Sequence, residues 1–388
     1  MKVKLSDLYD IGSSKRVFQS EWQKSGVPFY RAREIAKLSI DGYVDNELFI
    51  NEDLYLEYIN MYGKPEAGDV MVTGVGTLGV CYIVKPEDRF YFKDGNILWF
   101  KQKAKDRILS EYLVKAFDSK EAKEFIDKNS SGTTVGTFTI QTAKNMEISL
   151  PSIQEQRNII QKITKIESVI KQRRQQLQLL DTLIKARFVE MFGDVQHEEK
   201  YKGIQLRELC TTMSGGTPST KFPEYYEGDI PWISTVSLGP NYIDGTNAKG
   251  HITQEAVDNS ATKLIPAGNI LFGTRVGVGK SSLNSVDICT NQDIVAIVGI
   301  DESKFNRLFI KHVLDAYQPY YDSIKKGATI LGITGDDLKD TLIPNVPIEI
   351  QIEFEKFARQ IDKSKVAVQK ALDETQLLFD SLMQQYFG

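Results

Sequence analysis

The chain has 388 residues, 41% of them hydrophobic, and a formal net charge of −4 at pH 7. That suits a folded protein of two or more domains and gives no global basicity pointing to nucleic acid, although charge acts locally. Cys81, Cys210 and Cys289 are single and widely spaced and form no zinc pattern and no obvious disulfide framework. The start, Met1-Lys2-Val3-Lys4, has no apolar signal core, and no apolar run approaches the roughly 18 residues of a membrane span. The expectation is a cytoplasmic protein with no membrane partner.

In chain order, a mixed domain (1–151) comes first. Its short apolar runs at 69–72 and 97–100 read as strands bounded by glycine and asparagine, with a short helix over 108–117. From 152 to 192 there is no proline or glycine. Ile159, Ile163, Ile166, Ile170, Leu177, Leu180 and Ile184 recur at alternating spacings of four and three, interrupted by Arg173. This is a heptad seam on one helix about 60 Å long. A second mixed domain (193–346) has a strand at 294–298 and a helix over 305–316. A second long helix (347–388) repeats the seam with Phe354, Ala358, Ile361, Val368, Leu372, Phe379 and Leu382, weakened by Lys365 and Thr375.

The second half repeats the first. Gly132 falls on Gly327, Thr139 on Thr334, Gln156 on Gln351 and Phe192 on Phe387, at a constant offset of 195 residues. Upstream the offset drifts, with Pro28 falling on Pro231, Gly68 on Gly268 and Gly79 on Gly279. A period this long means two domains and not a solenoid. Each seam needs a partner, and the other helix is the nearest one. Chain tracing then makes the pair antiparallel, bringing Ile163 towards Phe379; helix exchange in a homodimer is the less economical alternative. The fold class is α+β: two mixed domains at opposite ends of an antiparallel two-helix coiled coil, with pseudo-two-fold repetition.

Two glycine runs suggest nucleotide sites. Gly74-Val75-Gly76-Thr77-Leu78-Gly79 satisfies G-x-G-x-x-G, but a strand pattern follows it where a helix is required. The segment from Gly273 to Ser281 nearly matches a P-loop, but Thr274 stands where glycine belongs, and the first copy has no Lys-Ser. A hairpin present in both copies accounts for both. His197, His251 and His312 stand alone, and no catalytic constellation appears.

What remains are polar, basic and aromatic loops at matching places. The first domain offers Ser14, Lys15, Arg16, Tyr30, Arg31, Arg33, Lys128, Ser131, Thr133 and Thr134. The second offers Gly216, Thr217, Ser219, Lys221, Trp232, Ser234, Thr235, Arg275, Lys280, Lys325, Lys326 and Thr329. Arginine and lysine fork onto guanine or neutralise phosphate, and hydroxyls reach either. No metal or cofactor ligands stand out.

Ser214-Gly215-Gly216-Thr217-Pro218-Ser219, then Gly228-Asp229-Ile230-Pro231-Trp232-Ile233 and Ala267-Gly268-Asn269-Ile270-Leu271, resemble the specificity subunit of type I restriction-modification enzymes. The first copy carries Gly68-Asp69-Val70-Met71, and 148–156 resembles that family's passage from a recognition domain into its helix. Ile11-Gly12-Ser13-Ser14 departs from the Gly-Gly-Thr-Pro loop, and the second passage lacks the Glu-Gln pair. The resemblance implies a subunit without catalysis of its own, whose two domains read the halves of a split site in double-stranded DNA. Its helices would set the spacing and dock two methyltransferase (modification) subunits. Motor-nuclease (restriction) subunits would join, and S-adenosylmethionine, ATP and Mg would sit on those partners, leaving no cofactor in this chain. The rival readings are a decoy or scaffold that binds methyltransferase without reading sequence, and a nucleotide-binding enzyme.

Overall fold

The computed structural model describes residues 2–130, 136–196, 200–327 and 329–388. It divides into two compact units, Met1–Arg174 with Ala371–Gly388, and Gln175–Lys370.

In the first unit an antiparallel sheet runs in the order Tyr9–Gly12, Ile97–Gln102, Val70–Thr73, Cys81–Ile83. Its central strands read as unbroken apolar runs because both faces are covered. Val70 and Val72 join the core formed with helix Ser110–Asp118, whereas Met71 and Trp99 face helix Ala32–Asp41. A smaller sheet places Val27–Tyr30 between Phe49–Ile50 and Tyr91–Phe92, the latter parallel. Lys2–Lys4 pairs antiparallel with Glu147–Ser149, immediately before the first long helix.

The second unit repeats this plan. Its larger sheet runs Thr211–Ser214, Ile294–Val298, Ile270–Gly273, Ser281–Asn284 and adds Tyr242–Ile243 as a parallel edge. Ile230–Ile233 lies between Gly250–Ile252 and Cys289–Thr290, again with one parallel pair. Ile270 and Phe272 enter one core and Leu271 the other, the period-2 division seen in the first unit. Gly203–Gln205 pairs with Leu342–Pro344 before the second long helix. The short helix begins at Arg307, two residues later than its sequence pattern, because Asn306 caps the Phe309 N–H at 3.0 Å.

The long helices span Ile153–Phe192 and Ile348–Phe387. In the first unit Ile159 and Ile163 share a core with Met383 and Phe387, and Phe379 packs against it. In the second, Ile184, Phe188 and Phe192 share one with Phe354 and Ala358. The start of each helix therefore lies beside the end of the other, and the pairing is antiparallel. The weak seam positions are accommodated locally. Lys365 Nζ reaches the Asp181 carboxylate at 2.5 Å, and the Thr375 hydroxyl donates to the Ala371 carbonyl at 2.7 Å.

Two glutamines, fully buried, fasten these helices to their domains. Gln156 accepts from the Leu109 N–H (2.9 Å) and donates to the Arg107 and Pro151 carbonyls (2.8 and 2.9 Å). Gln351 accepts from the Asn306 N–H (2.7 Å) and donates to the Lys304 and Val346 carbonyls (3.2 and 2.6 Å).

His312 is buried between Phe188 and Phe354, and its Nε2 has no hydrogen-bond partner among the described residues. Burial, then the charges of Lys311, Lys365 and Lys185, push its imidazole well below the ordinary value. Asp315, 3.7 Å from Nδ1, does not offset this because Lys311 already holds that carboxylate at 2.7 Å. The unfolded chain takes up a proton below about pH 6.5 that the fold refuses. Stability should therefore fall as pH drops through that value, by up to about 1.4 kcal/mol per pH unit. His312→Phe should remove this component. Thermal melts between pH 7.5 and 5.5 that slope equally in both proteins would refute the assignment.

Candidate nucleic-acid interface

Both glycine runs are hairpins. Gly74–Gly79 connects the antiparallel strands Val70–Thr73 and Cys81–Ile83, and the second run connects Ile270–Gly273 and Ser281–Asn284. Gly79 and Gly279 adopt left-handed φ values of 76° and 83°, which favours glycine at both. Neither run precedes a helix, so the strand–loop–helix cradle of a nucleotide phosphate is missing from both.

Around each hairpin the same loops gather through equivalent backbone bonds. In the first unit the Gly74 N–H donates to Asn96 (2.8 Å), Phe138 to Gly74 (3.0 Å) and Lys93 to Tyr30 (2.8 Å). In the second, Thr274 donates to Asp293 (2.8 Å), Ile333 to Thr274 (2.8 Å) and Asn291 to Ile233 (3.0 Å). A strand end, a tight turn, a hairpin tip and the segment before the last short helix thus meet on one face of each unit.

The first unit brings Ser14, Lys15, Arg16 and Tyr30 to this face. The Ser14 hydroxyl donates to Phe92 O at 2.6 Å, the Lys15 N–H to the Tyr91 hydroxyl at 3.1 Å, and Arg16 pairs with Asp94 at 3.1 Å. Tyr30 stacks on Phe90, centroids 4.8 Å apart. Arg31 and Arg33 converge on Glu34 at 2.7 and 2.9 Å, and Arg33 also reaches Glu47 at 2.7 Å. Burial raises the Glu34 carboxyl, but the bonds from Arg31 and Arg33 outweigh it and hold the group below the usual carboxylate range. Arg31 thus stands at the N-terminus of helix Ala32–Asp41 with its N–H and guanidinium both held by Glu34, while Arg33 stays exposed. Lys128 is exposed on helix Lys120–Asn129. Ser131, Thr133 and Thr134 lie outside the described residues.

In the second unit Thr217 bonds to Gln292 at 2.5 Å and Arg275 lies 3.6 Å from Asp293. Lys326 pairs through its backbone with Gly332, and Lys280 and Thr329 are exposed. Ser234 is half-buried at the strand end. Trp232, Gly216 and Thr235 are buried; the Trp232 indole donates to Gly216 O at 3.1 Å, so these three shape the loop from inside. Ser219 and Lys221 are exposed on the loop beyond Pro218, and Lys325 is paired with Asp322. Groups absent from the sequence expectation organise both faces: the Asp94 carboxylate and the Asn96 backbone carbonyl in the first unit, the Gln292 amide and Asp293 carboxylate in the second. Their signal in the sequence is a polar turn before the strand at matching places in the repeat.

Among the described residues no group of three or more His, Cys, Asp or Glu could hold a metal ion, and no helix is long and apolar enough to cross a membrane.

The family model for the type I restriction modification DNA specificity domain matches residues 1–179 and again 198–375, so the chain belongs to that family, with the domain present twice. The chain is 30% identical over 141 residues to the type I restriction enzyme MjaIX specificity subunit of Methanocaldococcus jannaschii. That match covers 36% of this chain and only 33% of the relative. The putative MjaX specificity subunit of the same organism is 23% identical over 391 residues, covering 95% of this chain and 89% of the relative. Two solved structures share the fold. The S subunit of the M. genitalium type I restriction-modification system has a TM-score of 0.57 at 13% identity, covering 100% of this chain and 96% of that one. A chain from work on assembly and conformational transition of the type I R-M system has a TM-score of 0.63 at 18% identity, with 100% and 97% covered.

Proposed function

We propose that this chain is the non-catalytic DNA-specificity subunit of a type I restriction-modification complex. Each domain reads one part of a bipartite site, and the paired helices set the spacing and dock two adenine methyltransferase subunits. The observation that carries this reading is the loop face built twice by the same three backbone bonds and furnished with different side chains. One scaffold with two sets of reading groups is what two unlike half-sites call for. Exposed leucines outside the seams, Leu179 and Leu183 in the second unit and Leu377 and Leu378 in the first, supply apolar contact area for partner subunits. Methyl transfer, and cleavage where a motor-nuclease joins, reside on the partners.

Co-expression with the cognate methyltransferase, followed by mapping of methylated adenines, tests this directly. The expected result is a split motif with a fixed spacer. Arg275→Ala with Lys326→Ala should alter one half only. Each side chain that reaches a base edge should cost about 1–3 kcal/mol on removal, and each that neutralises a phosphate should take about one unit from the salt slope of binding. Methylation at no defined sequence would reject the reading.

A further inference from the structure

The second unit's face is not only basic. Val236 is 83% exposed, Val276 52%, Ile330 55% and Leu331 57%. They sit on three segments joined around one hairpin. Val276 is at its tip, beside Arg275. Ile330 and Leu331 lead into Gly332, where an added Cβ would meet Arg275 Cγ at 3.0 Å. Val236 follows the strand end at Ile233, and Gly239, just beyond, donates its N–H to the Ser282 hydroxyl at 3.0 Å. Four exposed apolar side chains, on segments two of which also carry Arg275, Lys280 and Lys326, suit a surface that is anionic and also carries isolated apolar groups. The major groove is such a surface: phosphates flank it, and its one apolar feature is the 5-methyl of thymine. The other unit differs at the equivalent place. Three residues beyond the matching strand, Arg33 stands where the second unit has Val236.

Resting on the DNA-reading proposal above, we propose that Val236, Val276 and the Ile330-Leu331 pair read thymine methyl groups in the second unit's half-site. Cytosine has no 5-methyl group, so a G·C pair at the same position offers these side chains no apolar contact, and the discrimination is the lost burial of that methyl.

The test uses the full complex with its methyltransferase subunits and the duplex defined by methylation mapping. Each thymine of the second half-site is replaced in turn by deoxyuridine, which removes only the methyl. At one or more positions affinity should fall about fourfold, the burial of one methyl-sized group. Val236→Ala, Val276→Ala or the Ile330→Ala/Leu331→Ala pair should abolish the thymine–deoxyuridine difference at one position and leave the first half-site untouched. A second half-site without thymine, equal binding of every deoxyuridine duplex, or a difference that survives in all three variants overturns the proposal. So does loss of subunit assembly in the variants, which would assign the apolar tips to a protein partner. Absence of any sequence-specific methylation fails the broader reading instead.

Discussion

Phe354→Ala should destabilise the second unit by about 3–5 kcal/mol, the range for removing a buried aromatic ring. Phe354 is fully buried near the start of the second long helix. Its ring lies 5.4 Å from Phe188, 5.6 Å from Phe192 and 5.1 Å from His312. These neighbours sit on two other helices and cannot close a ring-sized cavity without moving them, so little of the loss is recovered by relaxation. Leu377→Ala on the same helix, at a largely exposed position, should change stability by less than about 0.5 kcal/mol. Denaturant unfolding of both variants checks the contrast. A loss below about 1 kcal/mol for Phe354→Ala would mean that the apolar cluster does not hold this end of the helix.

Gln351→Leu should cost about 3 kcal/mol, and Gln156→Leu about the same. Each change keeps side-chain size but strips partners from one backbone N–H and two backbone carbonyls, and each stranded group carries about 1–3 kcal/mol. Gln351→Glu should be no milder. A carboxylate still accepts from the Asn306 N–H, but it turns two donated bonds, to the Lys304 and Val346 carbonyls, into contacts between acceptors. Hydrogen exchange at Asn306 should accelerate in Gln351→Leu, which removes its acceptor, and stay unchanged in Gln156→Leu. An unaltered Asn306 amide in Gln351→Leu would remove the basis of the argument.

Features governed by local periodicity were legible in the sequence. The two long helices declare themselves through heptad seams free of proline and glycine, despite Arg173 in the first and Lys365 and Thr375 in the second, and the central strands through short apolar runs. The hairpins follow from glycines with a strand pattern on both sides. Tertiary choices were not legible. The parallel partners Tyr91–Phe92 and Cys289–Thr290 are two residues long and carry no period of their own. Tyr242–Ile243 joins the second sheet as an extra edge for which the first copy gives no precedent. On the candidate faces, sequence identified positions but not commitments. Nothing local in the sequence tells that Arg31 is held by Glu34, which is buried beneath it. Nothing in the sequence tells that the Trp232 indole donates to Gly216 O. Gln156 and Gln351 were visible as a matched pair in the repeat, but their three-bond geometry depends on loops far away in sequence.

The short ladders Lys2–Lys4 with Glu147–Ser149, and Gly203–Gln205 with Leu342–Pro344, place each domain's first strand against its last. A domain closed in this way is insulated. Residues inserted or deleted between the two strands lengthen or shorten a loop without turning the helix that follows. That accounts for a repeat whose spacing wanders from Pro28 and Pro231 to Gly79 and Gly279, yet is constant from Thr139 and Thr334 onward. The fold thereby separates two rates of change: the reading surface can vary in length and chemistry while the helical register stays fixed.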